Sequence, residues 1–195
     1  MHRRFLGGVL SAFHYRHWVG GVVLAAVFGV AGAQAQSAIE HHTWQDRGLY
    51  EPISTTARAI TGAIVLWGNP QFAQVGSTTR LTFEAGASID LESEGASWRE
   101  WSLSGGKQNA EVFRIAQDPG ELLNGNSLCG DSDAARYLVF SEDRLMSFEL
   151  YLQVAIFSGA EPPFDINSEG LCGTYSYMIP IDTHLITRVE VTRSQ

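Results

Sequence analysis

From Ile60 onward the chain alternates apolar and polar residues with a period of two, the pattern of half-buried strands. In "ITGAIVLW", Ile60, Ile64 and Leu66 share one face around Gly62. "RLTFE" turns Leu81 and Phe83 inward against Thr82 and Glu84, and "SIDLE" repeats this with Ile89 and Leu91 against Asp90 and Glu92. Ala85-Gly86 supplies a tight connection between those two. "WSLSGGKQNAEVFRI" predicts a further hairpin, with Trp101 and Leu103 on one arm, a turn at Gly105-Gly106, and Phe113 and Ile115 on the other. "RYLVF", residues 136–140, is rich in β-formers. In "LMSFELYLQVAIF", residues 145–157, Met146, Phe148, Leu150, Leu152, Val154 and Ile156 are apolar, whereas Ser147, Glu149, Tyr151 and Gln153 stand between them. That alternation predicts one long half-buried strand. "TYSYMI" places Tyr175, Tyr177 and Ile179 on one face, and "TRVEVT" closes the series with Val189 and Val191 opposite Arg188 and Glu190.

Short strands, Gly, Asn and Pro turns, and the lack of an amphipathic helical stripe predict an all-β domain. Consecutive antiparallel strands, about eight or nine of them, favour a meander closed into a small barrel, because closure removes exposed edges. A two-sheet β-sandwich is the alternative. Residues 158–170 show no periodicity and are stiffened by Pro162 and Pro163. Residues 36–58, with His41, His42, Trp44 and Pro52, also lack a pattern and are expected to form a lead-in arm to a single β domain over 59–195.

The N-terminus changes the setting. Residues 1–18 carry Arg3, Arg4 and Arg16 and no acid, and an uncharged apolar run from Val19 to Ala33 ends in Ala33-Gln34-Ala35. A basic start, a short apolar segment and a small-x-small end predict a secretory signal peptide over 1–35. The run is too short and Gly-rich for the roughly 20-residue span of a membrane anchor. The mature protein is therefore expected in the periplasm or secreted. Arg3-Arg4-Phe5-Leu6 only partly matches a twin-arginine leader, so the export route stays open. Cleavage after Ala35 would leave 160 residues in which 10 Lys and Arg face 21 Asp and Glu, a net charge of −11. Such a surface disfavours nucleic acid and anionic membranes and favours basic proteins or cations.

Export also decides the cysteines. Cys129 and Cys172 are the only two and both sit in Leu-Cys-Gly. They are too far apart for a CxxC redox motif. Zinc needs about four ligands, and the mature chain adds only His41, His42 and His184. In an oxidising compartment the pair is expected to be a disulfide.

Candidate chemistry is sparse. Ser104-Gly-Gly-Lys107 matches S-x-x-K but straddles a predicted turn instead of opening a helix. His184 beside Asp182 lies in a polar stretch expected at the surface. His41-His42 with Glu40, and Asp131 with Asp133, offer too few ligands for a recognisable metal motif. No cofactor is expected. The aromatics are more suggestive. Trp98 and Trp101 flank Arg99-Glu100, and with Tyr175 and Tyr177 they are candidates to line a ligand site at a barrel mouth or on a sheet face.

The layout "TGAIVL … RLTFEAGASIDLE … LLNGNSLCG … RYLVF … VAIFSG … LCGTYSY" resembles a group of exported proteobacterial proteins that share the spaced Leu-Cys-Gly pair and the Gly-Thr-Tyr-Ser-Tyr tail. The resemblance covers most of the mature chain and implies export; it brings no activity with it. More loosely, the chain is similar in architecture to periplasmic lysozyme inhibitors, which are small, acidic, disulfide-braced β-barrels. The leading expectation for the chain as a whole is a non-enzymatic binding protein for a protein or small-molecule ligand. An inhibitor of a basic hydrolase such as a lysozyme, or a hydrolase with an unrecognised site, are the alternatives.

Overall fold

The computed structural model describes residues 41–178 except 47, 68–72, 104, 131–132 and 146–148. Its strands are β1 (Gly48–Pro52), β2 (Ile64–Trp67), β3 (Thr78–Phe83), β4 (Ser88–Glu100), β5 (Lys107–Ile115), β6 (Tyr137–Leu145), β7 (Glu149–Phe157) and β8 (Leu171–Met178). Each pairs antiparallel with its neighbour in the chain, and β8 returns to β1 through Glu51↔Met178 and Pro52↔Tyr177. The domain is an eight-stranded meander closed into a barrel, which rules out the sandwich. The strand anticipated at 187–192 lies outside the described residues, as do His184 and Ser104.

The alternation places the core as expected. Ile64, Leu66, Leu81, Phe83, Ile89, Leu91, Phe113 and Ile115 all face a buried interior, with Leu138, Phe140, Leu152, Val154 and Ile156 opposite them. The β3–β4 turn uses Gly86 at φ +87°, with Phe83 N–H donating to Ala87 O at 2.9 Å. A backbone with positive φ is where glycine is favoured.

Three expectations are corrected. The 36–58 arm is part of the barrel from at least His42 on: it supplies β1, the helix α1 (Thr55–Ile60), and a short 3₁₀ turn over Thr43–Gln45. These pieces are too short to show a period, but Trp44 and Tyr50 are fully buried. Ser54 caps α1 by accepting from Ala57 N–H (3.1 Å) and also accepts from Ser176 N–H of β8 (3.1 Å), so one hydroxyl both starts the helix and ties it to the barrel. Second, residues 145–157 are not one strand. Leu145 pairs with Glu149, so the chain reverses between them. Third, Trp101 and Leu103 lie in the β4–β5 connection, because β4 already runs to Glu100.

The outer face of β5–β7 is also buried. Ala110, Val112, Tyr137, Val139, Ala155 and Phe157 form a second, smaller core there, covered by Trp101 and by Ile166 of the 158–170 loop. This is why Gln153, expected at the surface, is buried. Its Nε2 donates to the Trp101 carbonyl and satisfies both groups. Among the described residues no helix is long and apolar enough to cross a membrane.

Candidate functional site

The structure separates the four aromatics singled out from the sequence. Tyr175 and Tyr177 point into the filled interior and use their hydroxyls as pins. Tyr175 donates to Leu128 O at 3.1 Å, and Tyr177 shares a 2.6 Å bond with Thr61 Oγ1. Burial pushes the Tyr175 phenol up to about 12 and raises that of Tyr177 as well. Trp101 is buried in the second core, its Nε1 donating to Ser97 Oγ at 3.3 Å. Only Trp98 is open, with 54 % of its surface exposed.

Trp98 lies on a groove of about 270 Å³ whose sheet side is lined by six consecutive residues of β4, Glu94 to Arg99, and by Val112 of β5. The opposite wall is Pro162, Pro163 and Phe164 of the loop. Two local features create it. A β-bulge between Ser93 and Gly95, with Gly95 at φ +115°, turns the end of β4 away from β3. The 158–170 loop is then fastened alongside: Ile166 N–H donates to Glu100 O at 2.8 Å, Ser168 Oγ accepts from Phe164 N–H at 2.8 Å, and Pro163 is buried. Phe164 stays 63 % exposed, with the Arg99 guanidinium 4.5 Å above its ring. The charged residues lining the groove are Glu94 and Arg99. Glu94 is held by Arg114 at 3.1 Å, while Glu100 and Glu161 are exposed. A larger depression of about 510 Å³ beside Trp67 is less organised for binding. There the Trp67 Nε1 is already committed to Thr82 Oγ1 (3.0 Å), and Arg80 is engaged in a paired contact with Asp90 at 2.7 and 3.0 Å.

A second polar cluster lies inside the barrel, under the 41–46 segment. Glu111 of β5 is fully buried and accepts from Trp44 Nε1 (2.8 Å), Ser93 Oγ and the Ala73 backbone N–H. Burial raises its carboxyl above the ordinary range, partly offset by those donors and by His42. Nearby, Glu142 accepts from Thr43 N–H at 2.7 Å and sits 3.6 Å from His42 Nδ1. His42 is buried and stacks on Trp44 at 4.8 Å, while His41 pairs with Asp46 at 2.6 Å. The adjacent histidines thus serve different contacts, and among the described residues no group of three His, Cys, Asp or Glu side chains is placed to hold a metal. The cluster fastens the segment over the barrel interior.

No family model, curated protein or solved structure matches the chain. Sequence reasoning missed Phe164 and the buried Glu111. Phe164 follows two prolines in a loop without periodicity. Glu111 sits on the inward face of β5 in the same alternation as Phe113 and Ile115, and that register was the available signal.

Proposed function

We propose that this protein is an exported, acidic binding domain that acts through the Trp98–Phe164 groove on a basic protein partner. The observation that carries this reading is the pairing of a filled barrel with an exposed aromatic groove. The interior is occupied by the chain's own aromatics, so a ligand meets the outer surface. Large exposed aromatics on a fixed scaffold are typical anchors of protein interfaces. The net charge of −8 for the whole chain favours cationic surfaces and faster encounter with them. The joined cysteines favour an oxidising compartment, consistent with the leader-like N-terminus.

Inhibition of a basic hydrolase such as a lysozyme is a special case of this reading. The loop bearing Glu161, Asp165 and Glu169 beside the groove favours it.

The experiment is affinity capture from an envelope extract with two baits, the mature protein and a Trp98→Ala/Phe164→Ala variant. Basic proteins should be retained by the first, released by salt, and absent from the second. Identical captures by both baits would refute the groove as the binding face. Basic lysozymes assayed with both proteins test the special case.

A further inference from the structure

Apart from Val112 of β5, the sheet side of the groove is a run of consecutive β4 residues, and consecutive side chains of a strand point to opposite faces. Along that run the groove also follows the backbone edge of β4. β3 pairs with β4 only as far as Thr78↔Glu92, and the adjoining loop adds Gly76 N–H to Ser93 O and Ser93 N–H to Ser77 O, both at 2.8 Å. Beyond the bulge, β4 continues to Glu100 paired with β5 alone. Among the described residues, no backbone group pairs with Gly95–Arg99 on the other side.

The orientation of that edge can be assigned. Ile166 N–H donates to Glu100 O from the side away from β5. The two-residue alternation of an antiparallel strand turns the N–H and C=O of Trp98 and Ala96 the same way. The Trp98 carbonyl already takes the Arg99 guanidinium as a donor at 3.1 Å, the place an incoming backbone N–H would fill. A bulge and a charged side chain are common devices for keeping an edge from indiscriminate pairing. Here the edge also faces a wall, Pro162–Phe164, across a gap of defined volume.

We infer that the edge of β4 from Gly95 to Arg99 accepts an extended, basic segment of the partner as an added antiparallel or parallel strand. This rests on the groove being the binding face, as proposed above. Backbone hydrogen bonds to Ala96 and Trp98 supply affinity, and alternate side chains supply selectivity. The partner's alternate side chains would lie against Trp98 on one face and Phe164 on the other. Its cationic residues would meet the exposed carboxylates Glu100 and Glu161, while Glu94 is already paired with Arg114. A second copy of this acidic chain fits less well, because its own edge would bring like charges together.

The test uses a capped peptide alternating lysine with threonine and valine, titrated into the mature protein by calorimetry and followed by amide hydrogen exchange. Binding should slow exchange at Ala96 and Trp98. N-methylation of alternate peptide residues, and replacement of lysine by glutamate, should each weaken binding about tenfold or more, a difference of about 1.4 kcal/mol. Ala96→Pro removes one of the two edge donors, leaving Trp98 N–H, without touching the β4–β5 ladder, as proline allows on an open edge, and should weaken binding comparably. Equal binding of the N-methylated peptides that remains sensitive to Trp98→Ala would overturn strand addition and leave the groove standing. No binding by any peptide would overturn the strand-addition inference, while the capture experiment judges the groove separately. If Ala96→Pro fails to fold, the N-methyl series alone decides.

Discussion

Trp44 Nε1 donates to the Glu111 carboxylate at 2.8 Å, joining residues 67 positions apart in a fully buried contact. It fastens the chain entering β1 to the middle of β5. Removing the acceptor should be costly, because the indole N–H and the Ser93 hydroxyl would both lose a partner in a dry site. Glu111→Ala is expected to cost about 2–4 kcal/mol, measured by urea denaturation at neutral pH. Glu111→Gln keeps an acceptor for Trp44 and removes the buried charge, so it should be neutral or stabilising.

The same group sets a pH dependence. Burial raises the Glu111 carboxyl above its ordinary value of 4.5, so the folded chain holds that proton more tightly than the unfolded chain. Its contribution to stability is therefore greatest below the ordinary value and declines as pH rises from 4.5 to the raised folded value. The stability of the wild type relative to Glu111→Gln should fall across that window as pH increases. A difference independent of pH, or one that grows in favour of the wild type, would count against a raised carboxyl.

How far the sequence speaks depends on where each contact is made. Period-two alternation reports a strand with one wet and one dry face, so β2, β3 and the inner face of β7 were legible. It fails where both faces are dry. Ala155 and Phe157 face the second core, which exists only because a loop without periodicity folds over it. It fails too for Trp44, on a segment too short to carry a pattern, whose partner comes from another part of the chain. In the groove, Trp98 was legible as an aromatic next to polar residues. Its separation from Trp101 was not, because the bulge at Ser93–Gly95 and the end of β4 decide which side of the strand each occupies.

The loop wall should prove a separately stable unit. Ile166 is 4 % exposed and packs in the smaller core. Ile166→Ala is expected to cost about 2 kcal/mol, the low end for a buried aliphatic truncation because the site lies near the surface. Hydrogen exchange should accelerate at the Ile166 amide, which bonds to Glu100 O, and stay slow at Phe140 in the barrel. Uniform acceleration would mean that loop and barrel open as one.

Two glycines separate backbone strain from crowding. Gly130 and Gly170 both have positive φ, +72° and +79°. A Cβ at Gly130 would meet open space, whereas at Gly170 it would fall 2.5 Å from Gly159 N. Gly130→Ala should cost about 1 kcal/mol, the left-handed penalty alone. Gly170→Ala should cost about 3 kcal/mol, because rigid backbone must also move. Equal thermal melts for the two variants would contradict this packing of the 158–170 loop.

The disulfide and Tyr175 restrain the same segment from two sides. Cys129 is bonded to Cys172 across 43 positions, and the next residue back, Leu128, accepts the Tyr175 hydroxyl at 3.1 Å. Cys172 and Tyr175 both belong to β8, so the 122–130 loop is held to one strand by a covalent and a hydrogen-bonded tie. Closing a loop of that length is worth about 4 kcal/mol by the chain-entropy estimate, and loss of a native bond of this kind typically costs about 2–5 kcal/mol. Cys129→Ser/Cys172→Ser should fall in that range, and Tyr175→Phe, which orphans a buried carbonyl, should cost about 1–2 kcal/mol. The informative measurement is the triple variant. With the disulfide gone, only tertiary packing holds Leu128 near β8, so the tyrosine bond must order a freer loop to form. Its removal should then cost less than it does in the oxidised protein, giving a coupling of about 0.5 kcal/mol or more in a double-mutant cycle. Strictly additive losses would show that the two ties act on independent parts of the loop, and unchanged melts in the cysteine variants would show that the bond braces nothing.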